Sequence, residues 1–279
     1  MNPDIRNNKL VWWKWCLLFM AGFFMGGTAD ALALEGNGFS ESFLGYPVLT
    51  VATSAIVLLF YAVMARMLGQ RWTTDLNLRK LVPHTLLGLL VGGVYMVLVV
   101  GSIAASGHAS IAANTFTGEK QFSAIMTFLA VAVGEEVMCR GFIFRLIDER
   151  WNTGAALIVS ALIFGFGHIS NDNATWWSSL AIAIEAGLLL GAAYKWSGTL
   201  WVPIGIHWAW NYVQGNVFGL AVSGVNAGNS ILNTTVSGPD IITGGAFGPE
   251  ASIIAVILGA LYTLVFLRNR YRRSNNKNI

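Results

Sequence analysis

The chain has 279 residues, of which 55% are hydrophobic and only 11% charged, and its mean hydropathy is +0.59. A soluble domain carries about a quarter charged residues, so this balance excludes an ordinary soluble fold and points to a membrane protein. The net charge is only +3, and there is no basic run interleaved with aromatics. Nucleic acid is therefore not an expected partner; the lipid bilayer is.

In chain order, eight apolar runs stand out: 11–29, 46–66, 82–105, 122–145, 154–170, 176–195, 199–221 and 250–268. Each is near the ~20 residues a helix needs to cross a hydrocarbon core. The run at 154–170 is the shortest. The connections alternate in charge. Arg6, Lys9 and Lys14 open the first run, and Arg66, Arg71, Arg79 and Lys80 separate the second from the third. Arg145, Arg150 and Lys195 follow the fourth and sixth, and the tail from Arg268 carries five more basic residues. The intervening loops hold Asp30, Glu35, Glu41, Asp172, Asp240 and Glu250, with Lys120 as their positive charge. In all, 15 of the 17 basic residues fall on one side. The positive-inside rule then places both termini in the cytoplasm, and an even number of spans agrees. Most tryptophans lie near run ends, as an aromatic belt would.

The expected fold is all-α: a polytopic bundle of about eight transmembrane helices forming a single membrane domain over 1–279. Small-residue steps at Gly22/Gly26, Gly88/Gly92 and Gly187/Gly191 predict close helix–helix contacts. The first run, with basic residues before it and ADALA after it, has the look of a signal peptide but reads better as an uncleaved span. Residues 222–249 are rich in Gly, Asn, Ser and Thr and contain no Lys or Arg, which reads as a flexible external loop. Cys16 and Cys139 fall in apolar runs and read as buried small residues rather than a disulfide or metal pair.

Ionisable groups inside spans mark functional sites by default. Here they are Glu135, Glu136 and Arg140 in AVGEEVMCRGF, His168 at the end of FGFGH, Glu185, and His207 in HWAWN, joined by the neutral Asn211. At about 100° per residue, Glu136 and Arg140 lie on one helix face, acid before base, and can neutralise each other. Glu135 points about 100° away and has no partner on its own helix. A carboxylate left alone in an apolar setting suits a general base. Gly165 and Gly167 clear space beside His168, and Trp208 and Trp210 flank His207 and can wall off lipid. Helix rise places Glu135, His207 and His168 about 15, 12 and 21 Å from the basic edge. That level lies between the membrane centre and the basic side.

A carboxylate and two imidazoles suit activation of water. Glu135 takes the proton, His207 and Asn211 polarise or hold the developing oxyanion, and His168 orients the water or protonates the leaving amine. Glu135, His168 and His207 are also a catalytic ligand set for a divalent metal such as zinc. No HExxH motif occurs, so sequence leaves metal-bound and metal-free water both open.

EEVMCRG, FGFGH and HWAWN, in that order, resemble the EExxxR, FxxxH and HxxxN/D motifs of the CAAX protease and bacteriocin-processing (CPBP, or Abi) family, with a core over 120–215. The resemblance implies an intramembrane endopeptidase of glutamate or metalloprotease type acting on a membrane-associated peptide or protein. It carries the base onto Glu135, water or metal contacts onto His168 and His207, and oxyanion support onto Asn211, with Glu136 and Arg140 supporting. Cys139 stands where a bulky aromatic is common in the family. Relatives of this kind cut prenylated C-a-a-X tails or accompany bacteriocin processing and self-immunity, and the short loops suggest a bacterial plasma membrane. Two other readings are weighed: a non-proteolytic immunity or scaffold protein that keeps the motifs structurally, and a proton-coupled transporter using Glu135, Glu185 and the histidines as a relay. Glu185 fits none of these uniquely; it is expected either to pair with Arg140 or to be hydrogen-bonded.

Overall fold

A computed structural model describes residues 45–67 and 75–275. The first predicted span, with Cys16, Gly22, Gly26 and the ADALA segment, lies outside the described residues.

Helix α1 (Gly45–Met67) is followed by α2 (Leu78–Ala105), whose first turn is capped by the Asn77 side chain accepting from the Arg79 N–H. Strand β1 (Ala109–Ala113) leads to α3 (Gly118–Arg150), which is wound as a π-helix over Val137–Phe144. Asn152 caps α4 (Thr153–Gly167), and Thr175 and Ser178 form a capping box at the start of α5 (Trp176–Ser197), π-wound over Ala183–Leu188. Helix α6 (Trp201–Tyr212) continues as a π turn over Val213–Val217. Strand β2 (Leu232–Val236), the short α7 (Asp240–Thr243), a 3₁₀ turn at Pro249–Ala251 and α8 (Ile253–Asn275) complete the chain.

Five of these helices are long and apolar enough to cross a membrane: α1, α2, α3, α5 and α8. The molecule is a helical, polytopic membrane protein. At the expected spans 154–170 and 199–221 the helices are shorter: α4 has 15 residues, about 22 Å, and α6 has 12 before its π turn. His168 follows the last residue of α4, and His207 lies within α6.

Helix α5 is the central element: 72% of its apolar window is buried, against 28% for α1 and for α8. Helices α1, α2 and α8 turn Val51, Ile56, Leu59, Leu90, Val94, Val97, Ile257, Leu261 and Leu264 outward. Such a ring of exposed apolar side chains suits lipid rather than water. The small-residue steps within the described residues do what was expected of them. A Cβ on Gly92 would lie 2.1 Å from the Ile206 carbonyl oxygen, one on Gly88 2.4 Å from that of Val202, and one on Gly205 2.5 Å from that of Thr85. The backbones of α2 and α6 therefore touch, and the contact fixes the residue after Ile206, which is His207. Gly187 meets the Ala161 backbone in the same way, joining α4 to α5.

The segment 222–249 is not the loose loop its composition suggests. Strand β2 within it pairs antiparallel with β1, Ala109 opposite Val236 through Ala113 opposite Leu232. The segment is tied to the bundle: Ser230, Thr234 and Thr243 are buried, and Asn216 and Gln121, from α6 and α3, donate to the Asn229 carbonyl. Polar composition was read as mobility because the partners are distant in sequence.

Candidate active site

The π-wound stretch of α3 places Glu136 and Arg140 at the centre of the bundle, each fully buried. Arg140 Nη1 donates to Glu136 Oε1 at 2.8 Å, as expected from their spacing. Its other terminal nitrogen donates to the Gly187 carbonyl at 3.1 Å and reaches that of Ala186 at 3.5 Å, both on the π-wound turn of α5. The guanidinium also stacks 4.6 Å above the Phe164 ring. Removal of such a charge from water is tolerable because its two terminal nitrogens are met by a carboxylate and carbonyls and its plane by a π-face, while Nε has no partner.

Phe164 links the rest of the site. Its ring lies 5.1 Å from that of His168 and 5.9 Å from that of His207. Its carbonyl accepts from His168 Nδ1 at 2.8 Å. A carbonyl only accepts, so Nδ1 carries a hydrogen and the neutral ring presents a lone pair at Nε2. His207 Nδ1 lies 3.0 Å from Glu136 Oε1, which fixes the same tautomer by the same logic. The sequence reading missed this contact: Glu136 serves His207 as well as Arg140.

Both free nitrogens aim at Glu135. Its Oε2 lies 3.9 Å from His207 Nε2 and 4.0 Å from His168 Nε2, and it has no hydrogen-bond partner of its own. The division of the acid pair expected from helical geometry is thus present: Glu136 is taken up and Glu135 is not. Asn211, one turn beyond His207, lines the same cavity as His168 and His207. Gly165 packs against Ser179 and Ala183, while a Cβ on Gly167 would meet nothing within 4 Å, leaving the approach to His168 open.

The chemistry of Glu135, His168 and His207 suits a divalent metal, but their spacing in this structure does not. A tetrahedral zinc holds its ligands at about 2.0–2.2 Å, which separations near 4 Å would stretch toward a line. Among the described residues no group of three His, Cys, Asp or Glu is disposed to hold a metal ion.

The cavity, which is partly open, has about 20 Å³ of space, enough for one water. Its far wall contains residues that sequence reading placed elsewhere. Glu250, expected in an external loop, is buried and accepts from Gln214 Nε2 and the Ser223 N–H. Burial raises its carboxyl to about 7, opposed by those hydrogen bonds. Ser223 sits at φ 48°, unusual for a non-glycine residue, and its carbonyl accepts from Asn171 Nδ2 at 2.9 Å. An acid abutting the last apolar run was the available signal, and reading it as a helix-edge charge hid it.

Glu185 does not pair with Arg140. It is fully buried, its Oε2 lies 2.9 Å from the Tyr95 hydroxyl, and its Oε1 has no partner. Trp210, expected to flank His207 and wall off lipid, packs inside with its ring 4.6 Å from that of Tyr95 and donates to Gln214. Cys139 is buried, as expected.

Ser223 and Glu250 complete the lining of the cavity.

Residues 118–213 match the model of a family described as Rce1-like type II CAAX prenyl endopeptidases. The match covers about a third of the chain, from the start of α3 to the residue after α6, and contains Glu135, His168, Glu185, His207 and Asn211. It bears out the resemblance read from the three motifs and supports a membrane endopeptidase at the family level. No curated protein and no solved structure matches the chain.

Proposed function

We propose that the protein is an intramembrane endopeptidase that hydrolyses a peptide bond of a membrane-associated peptide or protein, with Glu135 as general base. The observation that carries the reading is the convergence of Glu135 Oε2 with two lone-pair nitrogens at 3.9 and 4.0 Å, while Glu136 is held by Arg140 and His207. Glu135 takes one proton from a water as its oxygen attacks the carbonyl. The Nε2 atom of one of the two rings, His168 or His207, accepts the water's other hydrogen and aims its lone pair at the carbonyl carbon. The Asn211 amide N–H donates to the developing oxyanion. With both rings in this tautomer, His207 is fit to position the water rather than the oxyanion, a refinement of the sequence expectation.

A divalent metal at Glu135, His168 and His207 would polarise the same water when bound; the residues must draw together to hold it, so no step is assigned to it. Chelation of the purified protein separates the routes: unchanged hydrolysis supports metal-free water, and loss restored by zinc supports the metal.

The decisive experiment uses the full chain in proteoliposomes with lipidated peptides, including an S-farnesylated C-terminal tetrapeptide. Glu135→Gln is expected to lower kcat by about 10²–10⁴-fold with an unchanged melting temperature. Wild-type turnover by that variant overturns the reading. Cellular protection without any cleavage, retained in Glu135→Gln, favours an immunity or scaffold protein instead.

A further inference from the structure

Resting on that reading, we propose that Glu185 is the proton donor to the nitrogen that departs when the peptide bond breaks. Three observations point there. The first is a count of hydrogens. The Tyr95 hydroxyl lies 2.8 Å from the Ala255 carbonyl oxygen and 2.9 Å from Glu185 Oε2. A hydroxyl has one hydrogen, and both neighbours act as acceptors if Glu185 is ionised. Both contacts are satisfied when Tyr95 donates to Ala255 and the protonated Glu185 O–H donates to Tyr95. The geometry therefore fits a neutral carboxylic acid.

The second observation is its surroundings. Arg140, the cation of the site, is committed to Glu136 and to the carbonyls of Ala186 and Gly187. The charged or titratable groups on neighbouring elements are Tyr95 from α2, Tyr262 from α8 (its ring 5.4 Å from that of Tyr95), and Glu250, His168 and His207 around the cavity. None is a fixed cation, so a proton is the simplest neutralising partner for Glu185.

The third is access. Glu185 lines the one-water cavity together with His168, His207 and Asn211, and its Oε1 is buried with no hydrogen-bond partner. Glu185 thus faces the same cavity as the groups proposed to hold the scissile carbonyl, where a water can carry a proton between them.

The proton balance closes. Water's oxygen bonds to the carbonyl carbon as Glu135 takes one of its protons. The C–N bond breaks as the Glu185 carboxyl turns its proton from Tyr95 to the cavity side and passes it to the nitrogen. The proton on Glu135 then returns to Glu185 through His207 and the cavity water as products leave. Water is consumed, and the enzyme ends as it began.

The test compares leaving groups on one acyl portion. The probes are an S-farnesylcysteine tetrapeptide amide and the p-nitrophenyl ester of N-acyl-S-farnesylcysteine, whose leaving group departs without a proton. Glu185→Gln in the full chain is expected to lower amide cleavage by about 10²-fold or more and ester cleavage by about threefold or less. Equal losses on both probes overturn the proposal and leave Glu185 a structural residue. Cleavage of neither probe by the wild type counts against the peptidase reading on this substrate class. The protonated state is then read independently by infrared difference spectroscopy. A carboxylic-acid carbonyl band present in the wild type and lost in Glu185→Gln supports the proposal; its absence overturns it. Tyr95→Phe, which keeps the ring packing on Trp210, should shift that band even if the glutamine variant folds poorly.

Discussion

Two ion pairs on α3 have the same spacing and opposite circumstances. Glu136–Arg140 is fully buried on both sides, whereas Arg145–Glu149, a few residues on, is 17% and 31% exposed. Arg145 belongs to a network at the basic end, where it also pairs with Asp75 and meets the Tyr61 hydroxyl at 3.2 Å, while Lys195 pairs with Asp148 nearby. Both pairs would be marked identically as i, i+4 on a helix. What separates them is the cost of leaving one partner alone. At the basic end, water and neighbouring charges take over. At the centre nothing does, which is why Arg140 is also met by carbonyls and Phe164, and why Glu136 has a second partner in His207.

The sharpest way to break the comparison is Arg140→Leu. It strands a buried carboxylate and is expected to cost about 3–5 kcal/mol, seen as a large drop in melting temperature in detergent. A near-neutral result would mean the centre is as forgiving as the basic end.

Glu250 extends the contrast to a buried acid whose partners are an amide and a backbone N–H rather than a guanidinium. Its folded carboxyl is raised from 4.5 to about 7, so the folded protein holds that proton more tightly than the unfolded chain. The associated stability is complete below about 4.5 and is lost as pH rises through about 7, on the order of 3 kcal/mol. The melting temperature of Glu250→Gln should fall less steeply over that range than that of the wild type; parallel curves would remove Glu250 from the account.

Gly92→Val tests how the centre is held rather than charged. Its side chain would strike the Ile206 carbonyl, costing about 1–3 kcal/mol and displacing His207, so activity should fall along with stability. The smallest effect is expected at the basic end: Glu149→Gln should change stability by at most about 1 kcal/mol, and by less as salt is raised.

Much of the fold was legible because lipid imposes a simple rule. Apolar runs of sufficient length announced the described long helices, and the glycine steps announced close helix contacts without naming the partners. Composition misled at 222–249, where the chain forms a strand, turns and part of the cavity wall. The three motifs exposed Glu135, His168, His207 and Asn211 because each is costly in an apolar run. Glu250 escaped notice because an acid outside a span is cheap until the fold buries it.

By itself, the sequence determined that this is a helical membrane protein with a carboxylate free of its own helix and two histidines nearby. Spacing along one helix settles which of Glu135 and Glu136 can reach Arg140, since that geometry is local. Only the tertiary structure decided that Glu136 also holds His207, that both imidazoles turn their lone pairs to Glu135, and that Tyr95 faces Glu185 across the bundle. Those contacts join residues 71 and 90 positions apart, and no local periodicity encodes a distance closed by packing.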